Sequence, residues 1–219
     1  VTLLLIALSA PAHALDLRWW GVGPTIGTMA IPTKYPTALP YVAQGEVEKV
    51  RGDVEIGVEG VLYPGKTGRL FGHGVVGLGT AGWTAPELVV GWDTILLKDE
   101  ELQVLWGAGL GAGRETFRSA VDNDLLRVNY YPLRTQFSVL LRDKTRAYEA
   151  SIWGTWHIAG SQEFCTSRER SSCVSAKDAE EIIGGAVYFG VGAEATLYFG
   201  DWRNKGGGKK GSSKSGNRR

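Results

Sequence analysis

Residues 184–200 read GGAVYFGVGAEATLYFG, and their alternation decides the fold. Val187, Phe189, Val191, Ala193, Ala195, Leu197 and Phe199 take one parity, while Tyr188, Gly190, Gly192, Glu194, Thr196 and Tyr198 take the other. Successive side chains of a strand point to opposite sides, so a sustained period of two predicts a long β-strand with two unlike faces.

Working outward, the same period runs through 53–63, where Val54, Ile56, Val58 and Leu62 oppose Asp53, Glu55, Gly57, Glu59 and Tyr63. It recurs at 102–113, with Val104, Trp106, Ala108, Leu110 and Ala112 against Gln103, Gly107, Gly109, Gly111 and Gly113. At 146–158, Tyr148, Ala150, Ile152, Trp156 and Ile158 oppose Glu149, Ser151, Thr155 and His157. Weaker runs at 16–30, 69–82, 86–97 and 125–142 bring the expected total to eight strands, all longer than the ~5–6 residues usual in a soluble sheet. The connections alternate as well. One set, 64–68, 98–101 and 143–145, is short, and the other, 31–50, 83–85, 116–124 and 159–182, contains the longest. Long strands with apolar, Trp-bearing faces, short turns at one end and long loops at the other are the pattern of a membrane-spanning barrel.

The chain has 219 residues, 43% of them apolar, and a formal charge of +1, which predicts one sizeable domain. That near-neutral balance is unevenly spread. Residues 203–219 carry Arg203, Lys205, Lys209, Lys210, Lys214, Arg218 and Arg219 with no acid, whereas residues 1–202 hold 17 basic and 23 acidic side chains, a net of −6. A flexible basic tail is expected at 203–219, able to contact anionic groups of the cell envelope, and nothing in the acidic body points to nucleic acid. Residues 1–14, VTLLLIALSAPAHA, carry no Asp, Glu, Lys or Arg and end in Ala12-His13-Ala14. This is a signal-peptidase pattern, so a signal peptide is expected at 1–14 and the barrel at 15–202. No later window approaches the ~20 continuous apolar residues of a membrane helix. A chain like this enters a membrane only as a closed barrel, because open backbone is not tolerated in lipid.

The chain up to about Trp202 resembles the small eight-stranded outer-membrane barrels of the OmpA/OmpX type. The resemblance implies an all-β, antiparallel up-and-down transmembrane barrel in the bacterial outer membrane, monomeric and surrounded by outer-membrane lipid. It also implies insertion by the outer-membrane assembly machinery, which reads a last strand ending in an aromatic, as Tyr198-Phe199 does; here 20 residues follow Phe199. The structural rival is a soluble barrel of the lipocalin kind, apolar inside and charged outside. The row Gly107, Gly109, Gly111 and Gly113 argues against it, since glycine weakens a solvated strand but suits the crowded inside of a narrow barrel. Trp83, Trp92, Trp106, Trp153, Trp156 and Trp202 fall mostly near strand ends, as interfacial girdles do.

Inside an eight-stranded barrel, side chains fill the lumen. Asp53, Glu55, Glu59, Asp93, Glu149 and Glu194 share the polar faces with Arg134 and Arg142, and these eight are expected to pair as a lumen ion network that plugs the barrel. A proton or ion path through the same groups is the other reading. Cys165 and Cys173 lie within the longest loop, and in an exported chain this pair predicts a disulfide in preference to free thiols or metal ligands.

Several motif matches fail on context. GVLYPGKT at 60–67 fits the phosphate-binding pattern G-x-x-x-x-G-K-[ST], but GRLFGHGVVGLG follows it and is too glycine-rich for the helix that the motif needs. GLGTAG at 77–82 is followed by WTAPE, a turn. Arg51-Gly52-Asp53 matches an adhesion tripeptide near the outer rim, and three-letter matches arise by chance. No cofactor or metal motif is present. Of the three histidines, His13 leaves with the signal and His73 falls in no motif. His157, near Thr155 and Ser161 at the outer end of a strand, would support a lipid-modifying hydrolase or acyltransferase if a Ser-His-acid set formed there. The expected function is a structural or surface-interaction role through loops 31–50 and 159–182, with that enzyme as the alternative.

Overall fold

The computed structural model describes residues 19–32, 50–79, 84–99, 101–118, 125–143, 145–165, 173–175 and 187–202. The expected signal peptide at 1–14, the tail at 203–219, and most of both long loops lie outside these residues.

The elements are β1 (Trp19–Pro32), β2 (Val50–Tyr63), β3 (Gly68–Leu78), β4 (Thr84–Lys98), β5 (Leu102–Arg118), β6 (Leu125–Arg142), β7 (Arg146–Cys165), the short β8 (Cys173–Ser175) and β9 (Val187–Asp201). All pairings are antiparallel. β1 through β7 pair in sequence order, and β9 joins β7 to β1 and closes an eight-stranded ring, with β8 attached to the far end of β7. Pairing Trp20 with Asp201 and Trp19 with Tyr63 puts both described ends of the barrel at the level of the short turns. Those turns are 64–67, 99–101 and 143–145.

The strand faces sort cleanly by polarity, with charge inside and hydrocarbon outside. Arg69, His73, Asp93, Glu149 and Arg134 are buried, whereas Ile26, Val58, Leu88, Leu110, Ile152 and Val191 are exposed on the outer wall. This is the inverse of a lipocalin interior and excludes the soluble rival, since an apolar outer wall is stable only against lipid. On β6 the outward apolar positions run from Tyr131 to Leu141. About ten residues at ~3.3 Å each, tilted by ~40°, give a band about 25 Å tall, the height a bilayer core requires. Aromatic side chains mark both borders. Trp20, Tyr148 and Phe199 lie on the turn side, while Tyr131, Trp156 and Phe189 lie on the loop side. Trp153 and Trp202, expected in the girdles, are instead buried in the lumen, because their parity is that of Glu149 and Tyr198.

Two strands outrun their sequence patterns. β5 continues to Arg118 and β7 to Cys165, past the points where apolar alternation stops, because strand pairing persists above the membrane where no lipid enforces it. A bulge at Val128/Tyr130 shifts the β6–β7 register there, which reverses the parity of β7 beyond it. The Cys165–Cys173 disulfide is present and ties β7 to β8, whose three residues pair with 163–165. It therefore clamps a strand extension rather than a free loop. The Arg51-Gly52-Asp53 tripeptide lies within β2, with Asp53 buried inside, an arrangement unsuited to adhesion.

Candidate functional site: the lumen

The inward faces build three layers along the barrel axis. At the turn end, Trp19, Tyr63, Phe71, Leu105, Leu140, Tyr198 and Trp202 form an apolar floor. Trp19 meets Tyr63 edge to face at 5.4 Å, and Trp202 meets Tyr63 at 5.9 Å and Tyr198 at 5.8 Å. Arg142 lies at this level, its guanidinium 4.0 Å over Trp19, and it donates to the Asp99 carbonyl at 3.3 Å.

Above the floor, two arginines gather the carboxylates. Arg69 donates through Nε to Asp93 at 2.7 Å and through both terminal nitrogens to Glu149 at 2.5 and 2.6 Å. Glu149 also accepts from Tyr198 and Ser151, each at 3.1 Å. Gln136 links this group to the next one. Its amide donates to Asp93 at 3.0 Å, while its carbonyl accepts from Arg134 Nε at 3.1 Å. Arg134 then donates to Glu194 and, at 2.9 Å, to His73 Nδ1. That bond assigns the ring proton to Nε2, which lies 3.3 Å from Glu194. Arg134 also stacks 4.6 Å over Trp153, and Glu59 accepts from Thr196 at 3.2 Å. Every hydrogen-bonding arm of both guanidiniums is thus occupied by a protein partner, the condition under which buried charge is tolerated.

Toward the loops the lumen is richer in acid. Glu87 accepts from Tyr130 at 2.9 Å. His157 stacks on Tyr130 with centroids 4.2 Å apart, and its two nitrogens lie 3.6 Å from Glu87 and 3.5 Å from Glu115. Asp53 and Glu55 stand on β2 at this end, both buried; Glu55 lies within electrostatic reach of Glu87, Glu194 and Asp53.

All eight residues expected in the lumen face inward. Arg134, Asp93, Glu149, Glu194 and Glu59 share the middle layer, Asp53 and Glu55 stand above it, and Arg142 lies at the floor. Sequence reading missed Arg69, His73, Glu87 and Glu115. On β3 the glycines Gly72 and Gly74 point outward while Phe71 and Val75 point inward, so polarity does not separate its faces. Counting parity from the turn at 64–67 finds both Arg69 and His73. The Ser161–His157 combination does not form. His157 and Thr155 are buried inside, whereas Ser161, beyond the bulge, is exposed and accepts from Asn129 on the outer wall.

The glycine row of β5 is needed for this packing. A Cβ on Gly107 would fall 1.9 Å from Asp93 Oδ1, and one on Gly113 would fall 2.2 Å from the Tyr130 ring.

No family model matches the chain, and no curated protein matches it at a level that marks a relative. Among solved structures it is similar to the crystal structure of Neisserial surface protein A (NspA), with a TM-score of 0.53 at 6% identity, covering 83% of this chain and 96% of that one. It is also similar to the outer membrane protease OmpT from Escherichia coli, with a TM-score of 0.32 at 10% identity, covering 85% and 97%; that superposition is too loose to define shared geometry. The likeness to NspA is one of fold, and the fold is that of a small outer-membrane β-barrel.

Proposed function

We propose that this chain, having the fold of an outer-membrane barrel, is an integral protein of the bacterial outer membrane whose lumen is closed by its own side chains. Its role is structural or interactive and is exercised at the loop end. The observation that carries this reading is the Arg69–Glu149 pair, whose two bonds of 2.5 and 2.6 Å bridge the lumen between β3 and β7. An apolar floor below it leaves solutes no path, and an eight-stranded barrel is just wide enough for such filling. The strands that rise above the lipid and the disulfide at Cys165–Cys173 favour a rim built to persist outside the cell. Assembly by the outer-membrane insertion machinery belongs to the same reading. So does a tail leaving on the turn side, where Trp202 lies, to meet anionic envelope groups.

The enzymatic alternative has less support. His157 has carboxylates on both sides, but among the described residues its hydroxyl neighbour on the same face, Thr155, is buried at 1% exposure and out of reach of lipid.

The test is fractionation with topology mapping. The protein should co-purify with outer membranes, migrate faster on gels before heating than after, and be cut by protease on intact cells within 33–49 or 166–186. Recovery in the soluble fraction, or cutting at 64–67, 99–101 or 143–145 instead, contradicts the reading.

A further inference from the structure

Among the described residues, charge at the loop end of the outer wall is confined to one sector. The outward residues nearest that end on β1 to β4 are Ala30, Val54, Leu78 and Thr84, among those whose side chains are described. On β5 to β7, by contrast, Arg114, Asn129 and Ser161 form a polar row across three strands. Arg114 donates through Nε to Asn129 Oδ1 at 2.7 Å, and Asn129 donates through Nδ2 to Ser161 Oγ at 2.7 Å. One step further toward the loops, Arg127 lies 3.8 Å from Glu163. One step below, Tyr131 opens the apolar band at 59% exposure.

We propose that this row binds the phosphate of a membrane lipid in the outer leaflet. Asn129 engages Nε and so fixes the plane of the Arg114 guanidinium. The terminal nitrogens make no hydrogen bond among the described residues, and together they present the two parallel donors that match two phosphate oxygens. Ser161, accepting from Asn129, keeps its hydroxyl proton for a third bond. Height and continuity select a lipid over a free anion. Acyl chains lie against Tyr131, Leu133 and Ile158, and the phosphate reaches the row directly above them. The bulge at Val128/Tyr130 turns Ser161 outward and so completes the row. The inference rests on the membrane-barrel reading.

The full chain, refolded in a non-ionic detergent, is titrated with bisphosphorylated lipid A, with the same lipid after phosphate removal, and with inorganic phosphate, and bound species are counted by native mass spectrometry. The wild-type protein should retain the phosphorylated lipid about tenfold more tightly than either control, and Arg114→Gln should abolish that preference. Arg114→Lys, which keeps the charge but not the fork, should recover only part of it. Heat-modifiable mobility of each variant separates loss of the site from loss of the barrel, and a wild-type chain that lacks it removes the premise. Equal retention of both lipids, preference unchanged in Arg114→Gln, or inorganic phosphate binding as tightly as the lipid would each overturn the proposal.

Discussion

Arg69 on β3 and Glu149 on β7 stand on opposite walls, four strands apart in either direction around the ring, yet their side chains meet through two hydrogen bonds. A cross-lumen contact of this kind ties the two halves of the barrel together. Its energetic weight lies in what would remain if one partner were lost.

Removing Arg69 leaves Glu149 and Asp93 without their shared cation. Arg69→Met should lower the stability of the refolded barrel by about 3–5 kcal/mol, measured by urea unfolding in lipid. Adding Glu149→Gln to Arg69→Met should recover part of this, because the stranded charge is then removed. A double variant as unstable as the sum of the single ones would show that the two residues do not act as a pair.

The outer wall predicts a depth dependence. Ala193→Arg and Ala195→Arg put a charge against the middle of the bilayer at a cost of roughly 2–4 kcal/mol, whereas Ala112→Arg, next to Arg114 at the loop-side border, should cost at most about 1 kcal/mol. Equal penalties at all three positions would contradict the lipid-facing assignment.

Glycines on the two faces should respond oppositely to the same change. Gly107→Ala forces Asp93 from its place beside Arg69 and should cost about 1–3 kcal/mol. At Gly72, where an added Cβ would meet nothing within 4 Å, alanine should be neutral or slightly stabilising. The comparison is made by unfolding both variants under identical conditions.

His157→Ala separates the structural from the enzymatic reading. Overproduction of wild-type or variant protein should leave the acylation pattern of lipid A the same, as read by mass spectrometry. A His157-dependent change in that pattern would favour the enzyme.

Much of the fold is legible in the sequence because a membrane barrel makes every strand face two different solvents. Segment 184–200 shows this most clearly, since Phe189, Val191, Ala193, Ala195 and Phe199 face lipid and Glu194 faces Arg134. Legibility fails where that contrast is absent. β3 hides Arg69 and His73 because glycine faces lipid and Phe71 faces the lumen, and β7 beyond Ile158 looks like a loop because it has left the bilayer. Glu87 is obscured by Pro86 and Trp83 nearby, which read as a turn. The partnerships within the lumen, such as Gln136 between Asp93 and Arg134, depend on shear and side-chain reach that no single-strand pattern carries.

The most direct test of the closed lumen is the conductance of single refolded barrels in a planar bilayer. The wild-type chain should hold the baseline across the voltage range with no defined steps, while the double variant Arg69→Ala/Arg134→Ala, with both gathering cations removed, should show intermittent small openings. Regular ohmic steps from the wild-type barrel would contradict the account, because they require a continuous water path past Arg69 and Glu149.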